Sequence, residues 1–183
     1  AGLYGDVIAE LDFNVGRLLD ALQELDLDER TFVIFTSDNG PWFGGSTGGL
    51  RGMKADTWEG GLRVPAVIRM PGRIPPGRVI DAPCASWDLL PTLLALTGIE
   101  APKGRLLDGV NLLPALTDEA AVPERVLFGM RSNNLMTIRR GQYKLHVLPP
   151  SRGFRFQGEA AQWVDPRAPD GVTILAPFEQ HKP

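Results

Sequence analysis

The chain has 183 residues, 43% of them hydrophobic and 22% charged, a composition ordinary for a soluble globular protein and a length ordinary for one domain. The formal net charge of -3 and the sequence pI near 5.4 argue against a nucleic-acid-binding surface, which usually carries a basic excess. No apolar run approaches the length of a membrane span, so the composition predicts a soluble chain.

The first predicted element is an amphipathic helix over residues 4–25. Acidic residues lie on one face of this helix, and apolar residues recur at helical spacing on the other. The apolar residues are Val7, Ile8, Leu11, Val15, Leu18, Leu19, Leu22 and Leu25. We expect this helix to pack on a sheet. A charged turn follows, and the uncharged run at 32–35 predicts a strand buried on both faces. The order helix, loop and strand indicates a doubly wound α/β unit.

Polar residues follow this strand in the string Thr36-Ser37-Asp38-Asn39-Gly40. Open α/β sheets bind ligands at the carboxyl ends of their strands. The Asp38 carboxylate and the Asn39 amide carbonyl suit a hard cation, Ca²⁺ or Mg²⁺, better than Zn²⁺, which favours Cys and His. The alternative is an ordinary turn, because Ser, Asp, Asn and Gly are common at strand ends.

A glycine-rich loop comes next, GGSTGGLRG at residues 44–52, and it leads into Met53-Lys54. Such a loop lets the backbone approach an anion closely. Lys54 is a compact cation that is able to neutralise a tetrahedral oxyanion and to stabilise charge on a leaving oxygen. The alternative is a solvated surface lysine, the usual state of lysines.

A second buried strand is predicted at residues 64–70. Glu59 and Arg63 bracket its start, and we interpret them as a structural ion pair or as groups that orient the loop. A helix is then predicted at 87–97 with Ser86 as its N-cap, followed by residues 101–118 as mostly loop.

Cys84 is the only cysteine, so no internal disulfide is possible, and we expect it to be a buried structural thiol.

The carboxyl-terminal pattern changes to short alternating runs that predict an antiparallel sheet with a Gly141-Gln142 turn; the runs lie at residues 125–130, 134–140 and 143–148. We therefore divide the chain into an α/β part, residues 1–122, and a small antiparallel sheet subdomain, residues 123–183. Beyond residue 149 we expect loops with one short strand at 172–175.

Several strings resemble the sulfatase family, the arylsulfatase type with a formylglycine nucleophile in the alkaline phosphatase superfamily. The strongest are TSDNGP, the glycine-rich loop, and LRGMKADTWEGGLRVPAVIRMPG; LLDGVNLLPAL adds to them. The resemblance implies that Asp38 and Asn39 complete a Ca²⁺ site, Mg²⁺ in some members. It implies that Lys54 contacts the sulfate group and assists the leaving oxygen. The implied fold is part of a doubly wound mixed sheet with flanking helices, α/β in class.

His146 follows a Tyr-Lys pair in GQYKLHVL. In the resembled family a histidine at such a place lines the substrate pocket, and we carry this over to His146 as a substrate-binding residue. Lys144 lies two residues earlier, so both side chains are expected on one face of the strand. The alternative is a surface or packing histidine without a role in catalysis.

The family's nucleophile arises from a cysteine in a CxPxR-type motif, which Cys84 in APCASWDLLPT does not match. The chain is therefore interpreted as the carboxyl-terminal part of a sulfatase, with the formylglycine and further ligands expected in an amino-terminal half. We expect the full-length protein to hydrolyse small-molecule or glycan sulfate monoesters, and the 183 residues alone to be inactive.

Two alternatives stay open. One is a phosphodiesterase or phosphonate hydrolase of the same superfamily, although a two-metal member commonly has histidine where Asn39 stands. The other is a truncated module without catalysis. The sequence has no NxS/T sequon, which favours a bacterial protein, periplasmic or secreted, with a cytoplasmic location left open.

Overall fold

The computed structural model describes residues 2–42, 45–118 and 120–148. The elements in chain order are α1 (Gly2–Glu24), β1 (Val33–Thr36), α2 (Glu59–Leu62), β2 (Ala66–Arg69), α3 (Leu89–Thr97), α4 (Leu113–Thr117), β3 (Val126–Arg131), β4 (Asn134–Arg140) and β5 (Tyr143–His146), with 3-10 turns at Asp28–Arg30 and Ser86–Asp88. A search of these described residues for a helix of membrane-spanning length and apolarity finds none.

Helix α1 forms where its apolar spacing predicts it, but its apolar face is only partly covered by the described residues. Val7, Leu11 and Leu18 all remain exposed, Leu18 by 67%. The expected packing of this helix on a sheet is therefore not found here. The spacing of apolar residues determines the helix, whereas the element that covers its face cannot be identified from the same pattern.

Strands β1 and β2 pair antiparallel, with Val33 opposite Arg69 and Thr36 opposite Ala66. The prediction that the first strand is buried on both faces is wrong for this structure, because Phe35 is 40% exposed. An apolar run indicates a strand, but its burial depends on layers that lie elsewhere in the molecule. Strand β2 is also shorter than residues 64–70.

The residue at the start of helix α3 is Asp88, and not Ser86 as predicted. Ser86 lies inside the 3-10 turn that precedes the helix, and the N-cap position of α3 is taken by Asp88. Asp88 is fully buried, and its carboxylate accepts a hydrogen bond from the backbone amide of Ala85 at 2.7 Å. The Asp88 carboxylate makes no capping hydrogen bond to α3 itself, so it fixes the backbone that leads into the helix.

Asp88 also joins distant parts of the chain. Both of its oxygens accept from the guanidinium of Arg125, and one accepts from the amide of Val110 at 3.0 Å. Burial alone would raise the pKa of Asp88, but the hydrogen bonds from Arg125 and from the backbone amides lower it overall. The carboxylate therefore stays ionised and fixes the segment before β3 against α3.

The segment 101–118 is mostly loop, as predicted, and the short helix α4 within it was not predicted. Its five residues are too few for a helical period to show in the sequence. Cys84 is exposed and not buried, because it lies in an irregular connection before α3, outside any packed element.

Strands β3, β4 and β5 form the predicted antiparallel sheet in that order. Strand β4 has the predicted bounds, and β5 ends at His146, two residues early. The predicted strand at 172–175 lies outside the described residues. The division at residue 122 stays a prediction.

Candidate functional site

The predicted cation ligands lie in the turn directly after β1. One oxygen of the Asp38 carboxylate, Oδ1, accepts from the backbone amide of Asn39 at 3.0 Å and from the hydroxyl of Ser37 at 3.4 Å. The same hydroxyl is 3.0 Å from the Asn39 carbonyl oxygen. These bonds orient the exposed Asp38 carboxylate within its own turn.

The turn is closed by glycine packed on glycine. The amide of Gly40 donates to the carbonyl of Gly61 at 3.0 Å. A Cβ atom on Gly40 would lie 1.8 Å from the carbonyl oxygen of Gly60, and a Cβ on Gly60 would lie 2.2 Å from that of Gly52. Only glycine allows backbones to approach so closely, so the glycine residues that the sequence shows here are a packing requirement.

Lys54 is brought beside this turn by its backbone. Its amide donates to the carbonyl of Pro41 at 2.9 Å, three residues after Asp38. We call residues 51–61 the lysine loop. Within it the Asp56 carboxylate accepts from the amide of Met53 at 3.2 Å, and Ala55 has a positive φ of 74°. The structure thus brings together the backbones that carry Asp38, Asn39 and Lys54.

His146 approaches the lysine loop from the small sheet. Its ring lies against the ring of Trp58, with centroids 4.2 Å apart and planes tilted by 49°. The guanidinium carbon of Arg51 lies 4.0 Å from the centroid of the same Trp58 ring, in cation–π geometry. The Nδ1 atom of His146 is buried without a hydrogen-bond partner in the described structure.

The environment of His146 lowers the pKa of its imidazole. Burial is the largest cause, followed by the positive charges of Lys144 and Arg51. Each of these disfavours the imidazolium. His146 therefore offers a neutral ring near neutral pH.

Lys144 makes a second connection between the sheet and the loop. Its ammonium group donates to the Thr57 carbonyl and to the Glu59 carboxylate, both at 2.7 Å. The prediction that Lys144 and His146 share one strand face is confirmed, since both contact the lysine loop. The predicted pairing of Glu59 with Arg63 is wrong: Glu59 pairs with Lys144 and with Arg139 at 2.7 Å.

The donor set at the strand end fits a hard cation, because a carboxylate and an amide carbonyl are oxygen ligands of the kind Ca²⁺ and Mg²⁺ take. Calcium takes six to eight such oxygens. Within residues 2–42, 45–118 and 120–148, however, no group of three or more His, Cys, Asp or Glu side chains is arranged to hold a metal ion. Asp38 and Asn39 fit part of a cation site and do not make a complete one.

Sequence reasoning did not identify Arg51 and Trp58 as partners of His146. Both belong to the string LRGMKADTWEGG, but the strand they meet lies more than 80 residues further along the chain. The alternation in β5 was the one available signal. It predicts that His146 shares a strand face with Lys144, but it does not predict which residues that face contacts.

The comparisons with known proteins agree on one family. The family model described as Sulfatase matches residues 1–99. N-acetylgalactosamine-6-sulfatase from Sus scrofa is 44% identical over 187 residues, covering 99% of this chain and 36% of its own length. Steryl-sulfatase from Mus musculus is 44% identical over 129 residues, covering 65% of this chain and 21% of its own length.

The solved structures place the fold in the same group. The PsFucS1 sulfatase from Pseudoalteromonas sp. superposes with a TM-score of 0.68 at 31% identity, covering 77% of this chain and 30% of that chain. This similarity confirms the predicted α/β class. The chain spans about a third of the length of the N-acetylgalactosamine-6-sulfatases it matches, 29% of the one from Canis lupus familiaris and 36% of the one from Sus scrofa.

Proposed function

This chain belongs to the sulfatase family, and from that premise we propose that the protein hydrolyses sulfate monoesters, with the present residues contributing part of the active site. The expected substrates are small-molecule or glycan sulfate esters. Relatives named for N-acetylgalactosamine 6-sulfate and for steryl sulfate support this class. The formylglycine nucleophile and the remaining acidic ligands are proposed to come from residues outside these 183, because the only cysteine here lacks the CxPxR context.

One observation carries the proposal, the docking of the lysine loop against the Asp38–Asn39 turn. The Lys54 amide is bonded to the Pro41 carbonyl, and the Gly40 amide to the Gly61 carbonyl. An ammonium group is thereby attached to backbone that lies beside two oxygen donors. A site for a sulfate ester needs this combination, since positive charge must meet both the sulfate oxygens and the leaving oxygen in the transition state.

We assign Asp38 and Asn39 to a Ca²⁺ ion, or Mg²⁺ as the second choice. When bound, the cation supplies positive charge against the sulfate oxygens. The Asn39 amide and the Ser37 hydroxyl both bond Oδ1 of Asp38 and so orient the carboxylate. Its second oxygen, Oδ2, is then available to a ligand. Lys54 binds the sulfate group and stabilises the charge that grows on the departing oxygen.

We assign His146 to substrate binding. A lowered pKa keeps the ring neutral near pH 7. The ring then offers the substrate one hydrogen-bond donor and one acceptor without adding a charge. Its contact with Trp58 holds the ring close to the loop that carries Lys54. The alternative of a packing histidine predicts that replacement by a flat, apolar side chain leaves turnover unchanged.

The test uses the complete protein that contains this chain. Hydrolysis of a chromogenic aryl sulfate is expected with Ca²⁺ present, and hydrolysis of the matching aryl phosphate diester should be at least about a hundredfold slower. The 183 residues expressed alone should hydrolyse neither ester. A preference for the phosphate diester, supported by Zn²⁺ and not by Ca²⁺, would establish the phosphodiesterase alternative. If the complete protein hydrolyses neither ester, the interpretation that remains is a module without catalytic activity.

A further inference from the structure

The carboxylate of Glu59 is held by two cations of the small sheet. Lys144 Nζ lies 2.7 Å from Oε1, and a terminal nitrogen of Arg139 lies 2.7 Å from Oε2. Lys144 also donates to the Thr57 carbonyl, and Arg139 donates through Nε to the carbonyl of Gly141 at 3.1 Å. The Lys144 side chain is only 15% exposed. Each cation thus has a second, backbone partner that fixes its position.

Glu59 is rigidly connected to the rest of the lysine loop. The next residue, Gly60, donates its amide to the Arg51 carbonyl at 2.7 Å, which closes the loop at its base. The same glycine has no room for even one more carbon. Lys54 lies inside this closed segment and is fixed at its other side by the Pro41 carbonyl. We therefore expect a displacement of Glu59 to move the backbone of Lys54.

We propose that Glu59 is a positioning residue, held by Arg139 and Lys144, and that it sets the place of Lys54 in the sulfate site. The proposal rests on the function proposed above for Lys54. It makes the small sheet part of the active-site apparatus, because the sheet supplies the two cations that anchor the loop. Bringing a binding group within about 1 Å of its productive place is worth up to about a hundredfold in rate.

The chain offers a matched control on the same strand. Arg140 follows Arg139 in β4 and pairs with Glu124 at 2.6 Å. This second pair is exposed, with 73% of the Arg140 side chain and 62% of the Glu124 side chain open to solvent. Glu124→Gln removes a carboxylate of the same type from the same sheet without affecting the anchor.

The first measurement is hydrogen exchange in the complete protein, followed on peptides that cover residues 51–57. Glu59→Gln is expected to reduce protection there, and Glu124→Gln is expected to leave it as in the wild type. Lys144→Met should act as Glu59→Gln does, whereas Lys144→Arg, which keeps the charge, should restore protection. Equal protection in the Glu59 and Glu124 variants would overturn the proposal, whether or not the protein hydrolyses sulfate esters.

The second measurement is a double-mutant cycle in kcat/KM for a chromogenic aryl sulfate. Glu59→Gln alone is expected to lower kcat/KM by about ten- to hundredfold. In the Lys54→Ala background the same change should have little further effect, because its action runs through Lys54. An equal loss in both backgrounds would show a general structural effect and overturn the proposal. If the wild type has no sulfatase activity, the proposed function fails and the exchange result alone decides the anchor.

Discussion

The backbone amide of Lys54 donates a hydrogen bond to the carbonyl of Pro41 at 2.9 Å. The two residues are separated by the glycine-rich segment, so this bond returns the chain to the turn it has just left. It brings the backbone of Lys54 beside the turn that carries Asp38 and Asn39, and the proposed role of Lys54 depends on that arrangement.

The glycine packing predicts that Gly40→Ala is harmful. The added methyl group would lie 1.8 Å from the Gly60 carbonyl oxygen, so the lysine loop must move away from the turn. We expect a loss of about 1–3 kcal/mol in the free energy of unfolding and a fall in activity. Urea denaturation of the complete protein measures the first. Gly16→Ala is the control: its Cβ meets nothing within 4 Å, so it should be neutral or stabilising.

The proposed cation site predicts unequal effects of its two ligands. Asp38→Ala should lower kcat for an aryl sulfate by about a hundredfold or more, and Asn39→Ala should cost less, because only the first removes a negative charge. Chelation of Ca²⁺ should abolish activity in the wild type, and added Ca²⁺ should restore it. Full activity of Asp38→Ala in the presence of chelator would contradict the assignment.

The position of His146 predicts an imidazole pKa below the ordinary value of about 6.5. The folded state then binds the proton less well than the unfolded state, so this residue's contribution to stability is lost as the pH falls from about 6.5. NMR titration, with the signal assigned through His146→Gln, measures the midpoint. Arg51→Gln should raise it by removing a neighbouring positive charge.

Arg140→Gln is the control for that titration, since Arg140 is exposed and pairs with Glu124. It should leave the midpoint of His146 unchanged. A midpoint at or above 6.5 in the wild type would show that burial and the charges of Lys144 and Arg51 do not lower the pKa of the His146 ring.

The buried pair of Asp88 and Arg125 predicts a large loss of stability in Asp88→Asn. This change leaves the guanidinium of Arg125 in a mostly buried place without its counter-charge, which costs about 3–5 kcal/mol. Glu124→Gln breaks an exposed pair and should cost about 0–1 kcal/mol. Thermal or urea unfolding measures the loss of unfolding free energy in each variant. Equal losses would mean that the buried Asp88–Arg125 pair stabilises the fold no more than the exposed pair does.

Local pattern was enough to predict several elements. Strand β4 follows from its alternation, and α1 follows from apolar residues at helical spacing. The five-residue helix α4 was not predicted because it is little longer than one helical turn, so no repeating apolar spacing shows in the sequence. The exposure of Phe35 was not predicted either, since burial depends on packing across layers that a single run of residues does not encode.

The strings around Asp38 and Lys54 indicate a candidate site, and the roles of these residues stay predictions. The contacts that support the site could not be predicted from the sequence. The partner of Glu59 was wrongly predicted as Arg63, because nearness in sequence suggested it. Its partners in the structure, Arg139 and Lys144, lie 80 and 85 residues away, and such pairs arise only from the tertiary fold.

The most direct test of the central claim is the effect of Lys54→Ala on kcat/KM for an aryl sulfate in the complete protein, compared with Lys103→Ala, a change at an exposed lysine outside the site. We predict a fall of about a hundred- to thousandfold for Lys54→Ala and wild-type activity for Lys103→Ala. Equal activity of the two variants would contradict the placement of Lys54 at the reacting sulfate.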